Sequence, residues 1–223
     1  WPAAGLAADQ KIPAPAKDSY GAVENLASEL KRSPSSQESK LLLPLLGGIK
    51  TADQARERLP RLNAAARGLF SAFTREKPPA PLANAAQNAV AYLNNQADRW
   101  EEGREFSDKV LSFDPDDRAA LINRSNANYG LKDFNSAFID ADKAAKLDHQ
   151  DPAAYTPRAL AYYGMKNYLQ TLEDARRSLA IDPGDKTASS LIKLAEGRKP
   201  SSTAKNENIR VEAALQREYQ GMV

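Results

Sequence analysis

The feature that most constrains this chain is a register in which the same kinds of residue return at one fixed step. Trp100, Phe134 and Tyr168 are all aromatic and equally spaced. Three residues after each comes a compact side chain, Gly103, Ala137 or Thr171. Four further on stand Ser107, Ala141 and Ala175, and then Val110, Ala144 and Ser178. Each unit also closes alike, on Phe113-Asp114-Pro115, Leu147-Asp148-His149 and Ile181-Asp182-Pro183. Spacings of three and four inside so long a period describe a helix–turn–helix unit. Such a unit buries its apolar face only by stacking on copies of itself. The compact residues let the second helix of a unit approach the first, and the aromatic fills the gap at the turn. Asp-Pro ends one helix and opens the next, because Pro suits a first helical turn and not a helix interior.

These residues resemble the tetratricopeptide repeat (TPR), whose period is the same step, about 34 residues. The resemblance covers about residues 84–185, in units starting near Asn84, Arg118 and Pro152. Gly130-Leu131-Lys132-Asp133-Phe134 and Gly164-Met165-Lys166-Asn167-Tyr168 are similar to the family's inter-helix turn, and Asn123-Arg124-Ser125 to its N-R-G variant. The resemblance implies an all-α fold, a right-handed superhelix of such units. The sequence departs from the pattern at Gln87, Asn94, Asn128, His149 and Thr171. Pro157 is expected either to kink the helix opened by Pro152 or to mark its true start, with Thr156 as cap.

Residues 186–197 carry Ala188, Leu191, Ile192, Leu194 and Ala195 on one side. They suit the capping helix that a repeat stack needs, with Gly197 and Pro200 as the stop. Upstream, residues 20–32 and 37–49 read as two short helices. Thr51-Ala52-Asp53-Gln54 reads as a capping box opening a run to about Glu76, with a bend or break at Pro60. Four segments follow: 1–19 extended or disordered, 20–83 a helical N-terminal extension, 84–197 three TPR units with a cap, and 198–223 a linker and a helix over 208–219. The last helix, with Val211, Leu215 and Tyr219 in line, is too short to persist alone and is expected to dock on the body or on another subunit. Because repeats contact only their neighbours, 84–197 is expected to fold without the extensions.

Composition removes most chemistries. There is no cysteine and one histidine, which excludes disulfides, thiolate metal sites and His-pair catalysis. With 31 basic against 29 acidic residues, no basic excess exists to displace nucleic-acid counterions. His149 fits a turn position, and the acidic pairs Asp116/Asp117, Glu101/Glu102 and Asp140/Asp142 lack converging partners. Gly47-Gly48 is not followed by a phosphate-cradle pattern. No catalytic residue, metal or cofactor is expected, and the chain is read as a non-enzyme. The longest apolar run, Leu41 to Ile49, is about half of what a transmembrane helix needs. The Pro/Ala-rich beginning, together with the absent cysteine, tilts the expectation toward a bacterial envelope or secreted protein, with a cytoplasmic one as alternative.

What the resemblance implies is binding. First helices line the concave side of a repeat stack. On this register that side carries Asn88, Tyr92, Asn95, Asn123, Asn126, Tyr129, Thr156, Leu160 and Tyr163. Asn side chains both donate to and accept from a peptide backbone, and Tyr adds area and a hydroxyl. The family's carboxylate clamp for acidic chaperone tails needs cations that would fall on Asn88, Ala153 and Pro157, so that subtype is rejected. The expected partner is a protein or peptide, neutral or apolar, bound with little dependence on salt. Truncating Tyr92 and Tyr129 together would cost about 2 kcal/mol of binding. The expected role is a scaffold or adaptor in a larger assembly. The alternative is a structural subunit of an oligomer or filament whose terminal extensions dock on neighbouring subunits, with homo-oligomers forming through its terminal helices.

Overall fold

The computed structural model describes residues 21–32, 37–46, 49, 52–71 and 81–198. The expectations for 1–19, for the capping-box Thr51, for the end of the run at 72–76 and for the helix over 208–219 lie outside them.

The described residues form ten helices and no strand: α1 (Gly21–Arg32), α2 (Gln37–Leu46), α3 (Ala52–Phe70), α4 (Pro81–Gln96), α5 (Trp100–Leu111), α6 (Arg118–Gly130), α7 (Phe134–Leu147), α8 (Pro152–Gly164), α9 (Tyr168–Ile181) and α10 (Lys186–Glu196). The pairs α4/α5, α6/α7 and α8/α9 are the three units, and α10 closes the stack. Each first helix also touches the next one, α4 to α6, α6 to α8 and α8 to α10, while the second helices make no comparable contacts with each other. The first helices therefore form the inner layer.

One start differs from expectation, and one alternative is settled. The first unit opens at Pro81, three residues before Asn84. A proline suits a first helical position, where its missing N–H has no partner to lose. In the third unit α8 opens at Pro152, with Asp151 accepting from Ala153 N at 2.9 Å, and runs through the buried Pro157. Thr156 is thus inside the helix and not its cap. Likewise α3 runs unbroken through Pro60, which is exposed.

The departures from the repeat pattern in the first unit have a physical reason in α3. Gln87 donates to the Ala66 carbonyl at 2.8 Å, and Asn94 exchanges amide hydrogen bonds with Asn63 at 2.8 and 3.0 Å. A large aromatic at 94 would leave the buried Asn63 amide without its partner, and one at 87 would remove the side-chain bond to α3's backbone. The largest apolar cluster straddles the same boundary: Leu26, Leu30, Leu42, Leu46, Leu59 and Leu62 pack with Ala86, Ala89 and Leu93 of α4. The N-terminal helices are thus part of the stack's core, which runs against an independent 84–197.

Between units, an ionic ladder repeats the register. Arg124 donates to Asp140 through Nε at 2.8 Å and Nη2 at 2.6 Å, and to Asp108 at 2.9 Å. One period on, Arg158 does the same with Asp174 at 2.7 and 2.8 Å and Asp142 at 2.8 Å. Each guanidinium thus ties its own second helix to the preceding one. Asp140 and Asp142, expected to lack converging partners, each face an arginine of this ladder.

Candidate functional site

The inner layer is built by caps and close approaches. Asp117, Asp151 and Asp185, each one period from the last, cap α6, α8 and α10, accepting from Ala120 N, Ala153 N and Ala188 N at 2.9 Å. At the other end of the helices, Gly130 lies under Trp100 and Gly164 under Phe134, where an added Cβ would meet ring carbons at 2.1 and 2.3 Å. The same step from Tyr168 meets Arg198 in place of glycine. Its guanidinium lies 5.8 Å from the Tyr168 ring centre and 5.3 Å from that of Tyr163, and donates to the Tyr168 hydroxyl at 3.2 Å.

The nine residues expected on the concave face divide into two groups. Asn95, Asn123 and Leu160 are buried, at 4%, 6% and 8% exposure, which corrects their placement on an open surface. Asn95 donates to the Asn123 carbonyl at 2.8 Å, and its oxygen lies against Gly103. Asn123 donates to the Asn88 carbonyl at 3.0 Å. These amides fasten α4 to α6 because a buried Asn must spend its hydrogen bonds on protein. Leu160 belongs to the cluster with Ala159, Ala175, Ala188 and Leu191.

The other six are half-buried: Asn88, Tyr92, Asn126, Tyr129, Thr156 and Tyr163. Asn88 donates to the Asp117 carboxylate at 3.1 Å. Tyr92 packs against the N-terminal cluster. Thr156 bonds Ser178 at 2.9 Å and also Asp185. Tyr129 packs against two clusters and meets the Phe134 ring at 5.5 Å, while Tyr163 meets Tyr168 at 5.8 Å. Burial, with Tyr163 nearby, pushes the Tyr129 phenol up to about 12, so it remains a hydrogen-bond donor at neutral pH.

Ile122, which is not among the nine, stands one period after Asn88 and one before Thr156 and is half-buried, so the register puts it, and not the buried Asn123, in their row. His149 sits exposed in the α7–α8 turn, where its carbonyl accepts from the Tyr155 hydroxyl at 3.1 Å. Among the described residues no His, Cys, Asp and Glu side chains cluster as metal ligands, and no helix is long and apolar enough to cross a membrane.

No family model matches the sequence, and no curated protein matches it. Solved structures do match. The ArsTM double mutant of MamA RS-1 superposes over 90% of this chain and 96% of its own, at a TM-score of 0.51 and 15% identity. The fold is a TPR-like helical repeat. The Arabidopsis OM64 TPR domain matches over 52% of this chain and 96% of its own, at a TM-score of 0.48 and 22% identity.

Proposed function

We propose that this chain is a non-catalytic interaction scaffold or adaptor that holds an extended peptide or protein segment along its first helices, as part of a larger assembly. The observation that carries this reading is the inner strip of Asn88, Ile122, Asn126, Tyr129 and Tyr163. Each is half-buried, on helices whose other sides are spent on packing. Partly exposed tyrosines and amides side by side offer area and both kinds of hydrogen bond at little entropic cost. In this reading residues 81–197 supply the surface, and 21–71 hold its first helix in place.

Asn126 gives the cleanest test, since Tyr92 and Tyr129 also serve the core and their truncation would disturb folding. Peptides selected from a random display library against the full chain are expected to lose about tenfold or more in affinity, roughly 1.4 kcal/mol, for Asn126→Trp. Glu173→Trp on the exposed side of α9 should leave binding unchanged. Equal loss in both variants, or none in Asn126→Trp, contradicts the reading.

A further inference from the structure

Where α4 meets the start of α6, the donors are spent and two acceptors are left over. The side-chain oxygens of Asn84 and Asn88, one turn apart on α4, are both buried and meet no hydrogen-bond donor. The orientation of the Asn88 amide is set by its donation to the Asp117 carboxylate at 3.1 and 3.3 Å, so its oxygen is the free end. Asp117 accepts from Asn88 and from Ala120 N, and among the described residues it meets no cation. The cations beside it are engaged elsewhere. Arg118 turns to Asp148 and, at 3.1 Å, to Asp151, while Lys143 holds Asp116 at 2.9 Å. One carboxylate and two buried carbonyls with no donor complement a cation that carries several N–H groups. A planar guanidinium has five donors and no acceptor, so it fits this set better than an ammonium or a hydroxyl.

We infer that the first-helix groove takes a basic, arginine-bearing segment of a partner protein, one guanidinium seating at the α4–α6 junction against Asn84, Asn88 and Asp117. The inference rests on the scaffold reading above and adds the partner's chemistry. An orphaned buried acceptor is costly, so a donor arriving there removes a standing penalty as well as making a new bond. Extended peptides send successive side chains to opposite sides. One set would therefore face the end of the groove where Asp117, Asp151 and Asp185 cap their helices, and the other the end carrying Tyr129 and Tyr163. The seated charge reverses the weak salt dependence expected of a neutral groove.

The test uses the full chain and three labelled peptides of alternating Ala and Arg, Ala and citrulline, or Ala and Glu, read by fluorescence anisotropy. Citrulline keeps the shape of arginine and removes its charge. The arginine peptide is expected to bind about tenfold or more tighter than the citrulline peptide, to weaken with added salt, and to lose to Asn126→Trp. Asp117→Asn keeps the helix cap, since Asn caps as well as Asp, and should remove most of the preference for arginine. Binding of arginine and citrulline peptides alike, or an arginine preference untouched by Asp117→Asn, overturns the inference while leaving the groove in place. Failure of all three peptides, or binding unaffected by Asn126→Trp, overturns the inference together with the scaffold reading.

Discussion

At the scale of single residues, the stack is held by close approaches that leave no room for change. Gly130 and Gly164 sit under aromatic rings of the preceding unit. Gly130→Ala should therefore force Trp100 aside and cost about 1–3 kcal/mol of stability, read as a lower urea midpoint. The turns show the converse. Asp98, Lys132 and Lys166 share the left-handed conformation, at φ 60°, 65° and 62°. That conformation costs an L residue roughly 1–2 kcal/mol, part of which glycine returns as chain entropy. Lys132→Gly is expected to raise the melting temperature, and a fall would contradict this account of the turn. The ladder is more demanding. The Asp140 side chain is 5% exposed. Burial lifts its carboxyl above the ordinary range, while Asp140 and Asp108 keep the half-buried Arg124 firmly protonated against the opposing effect of its own burial. Removing the guanidinium in Arg124→Met strands Asp140 and should cost about 3 kcal/mol by chemical denaturation. A cost below about 1 kcal/mol would mean that the pair is dispensable.

At the scale of elements, helix existence was legible in the sequence and the partners of polar side chains were not. The register and the Asp-Pro closures placed α5 to α9 and the cap α10 well, because period and punctuation are local signals. Gln87 and Asn94 read as defects of a repeat until α3 supplied Ala66 and Asn63 as their partners. The ladder was hidden for a related reason. Each rung joins residues 16 apart on different helices, a spacing set by the turn and not by either helix. One element contact is acid-sensitive. Arg67 of α3 donates to Glu105 of α5 through two nitrogens at 2.7 and 2.6 Å, and this hydrogen bonding holds the Glu105 carboxyl below its ordinary value. A depressed carboxyl contributes stability above the unfolded value, about 4.3, which is lost as pH falls through the folded value. The wild type is thus expected to melt slightly higher than Glu105→Gln at pH 7, and the difference should vanish near pH 3. A constant difference would show that the hydrogen bond survives protonation.

At the scale of the whole molecule, the register placed the expected residues on the first helices, which form the inner layer. It could not tell a half-buried amide from a fastening one, because Asn88 and Asn95 have the same chemistry and differ in what lies above them. It also could not show that the stack begins before its first repeat. Removing α1 to α3 would uncover Leu93, now 0% exposed, together with Ala86 and Ala89, and would exchange the α3 partners of Gln87 and Asn94 for water. The leucine at about 2 kcal/mol and the lost amide hydrogen bonds at about 1 kcal/mol each are a large part of the roughly 5–15 kcal/mol that holds a typical domain. A fragment of residues 81–198 is therefore expected to melt broadly and far below the full chain, and a sharp melt at the same temperature would contradict a shared core. The most direct test of the central claim, that the first helices form the binding surface, is an amide NMR titration of the full chain with the alternating Ala and Arg peptide. The account predicts that shifts gather on α4, α6 and α8 and include the side-chain NH2 signals of Asn88 and Asn126, while Asn135, exposed on α7, stays still. Shifts gathered on α5, α7 and α9 instead would contradict it.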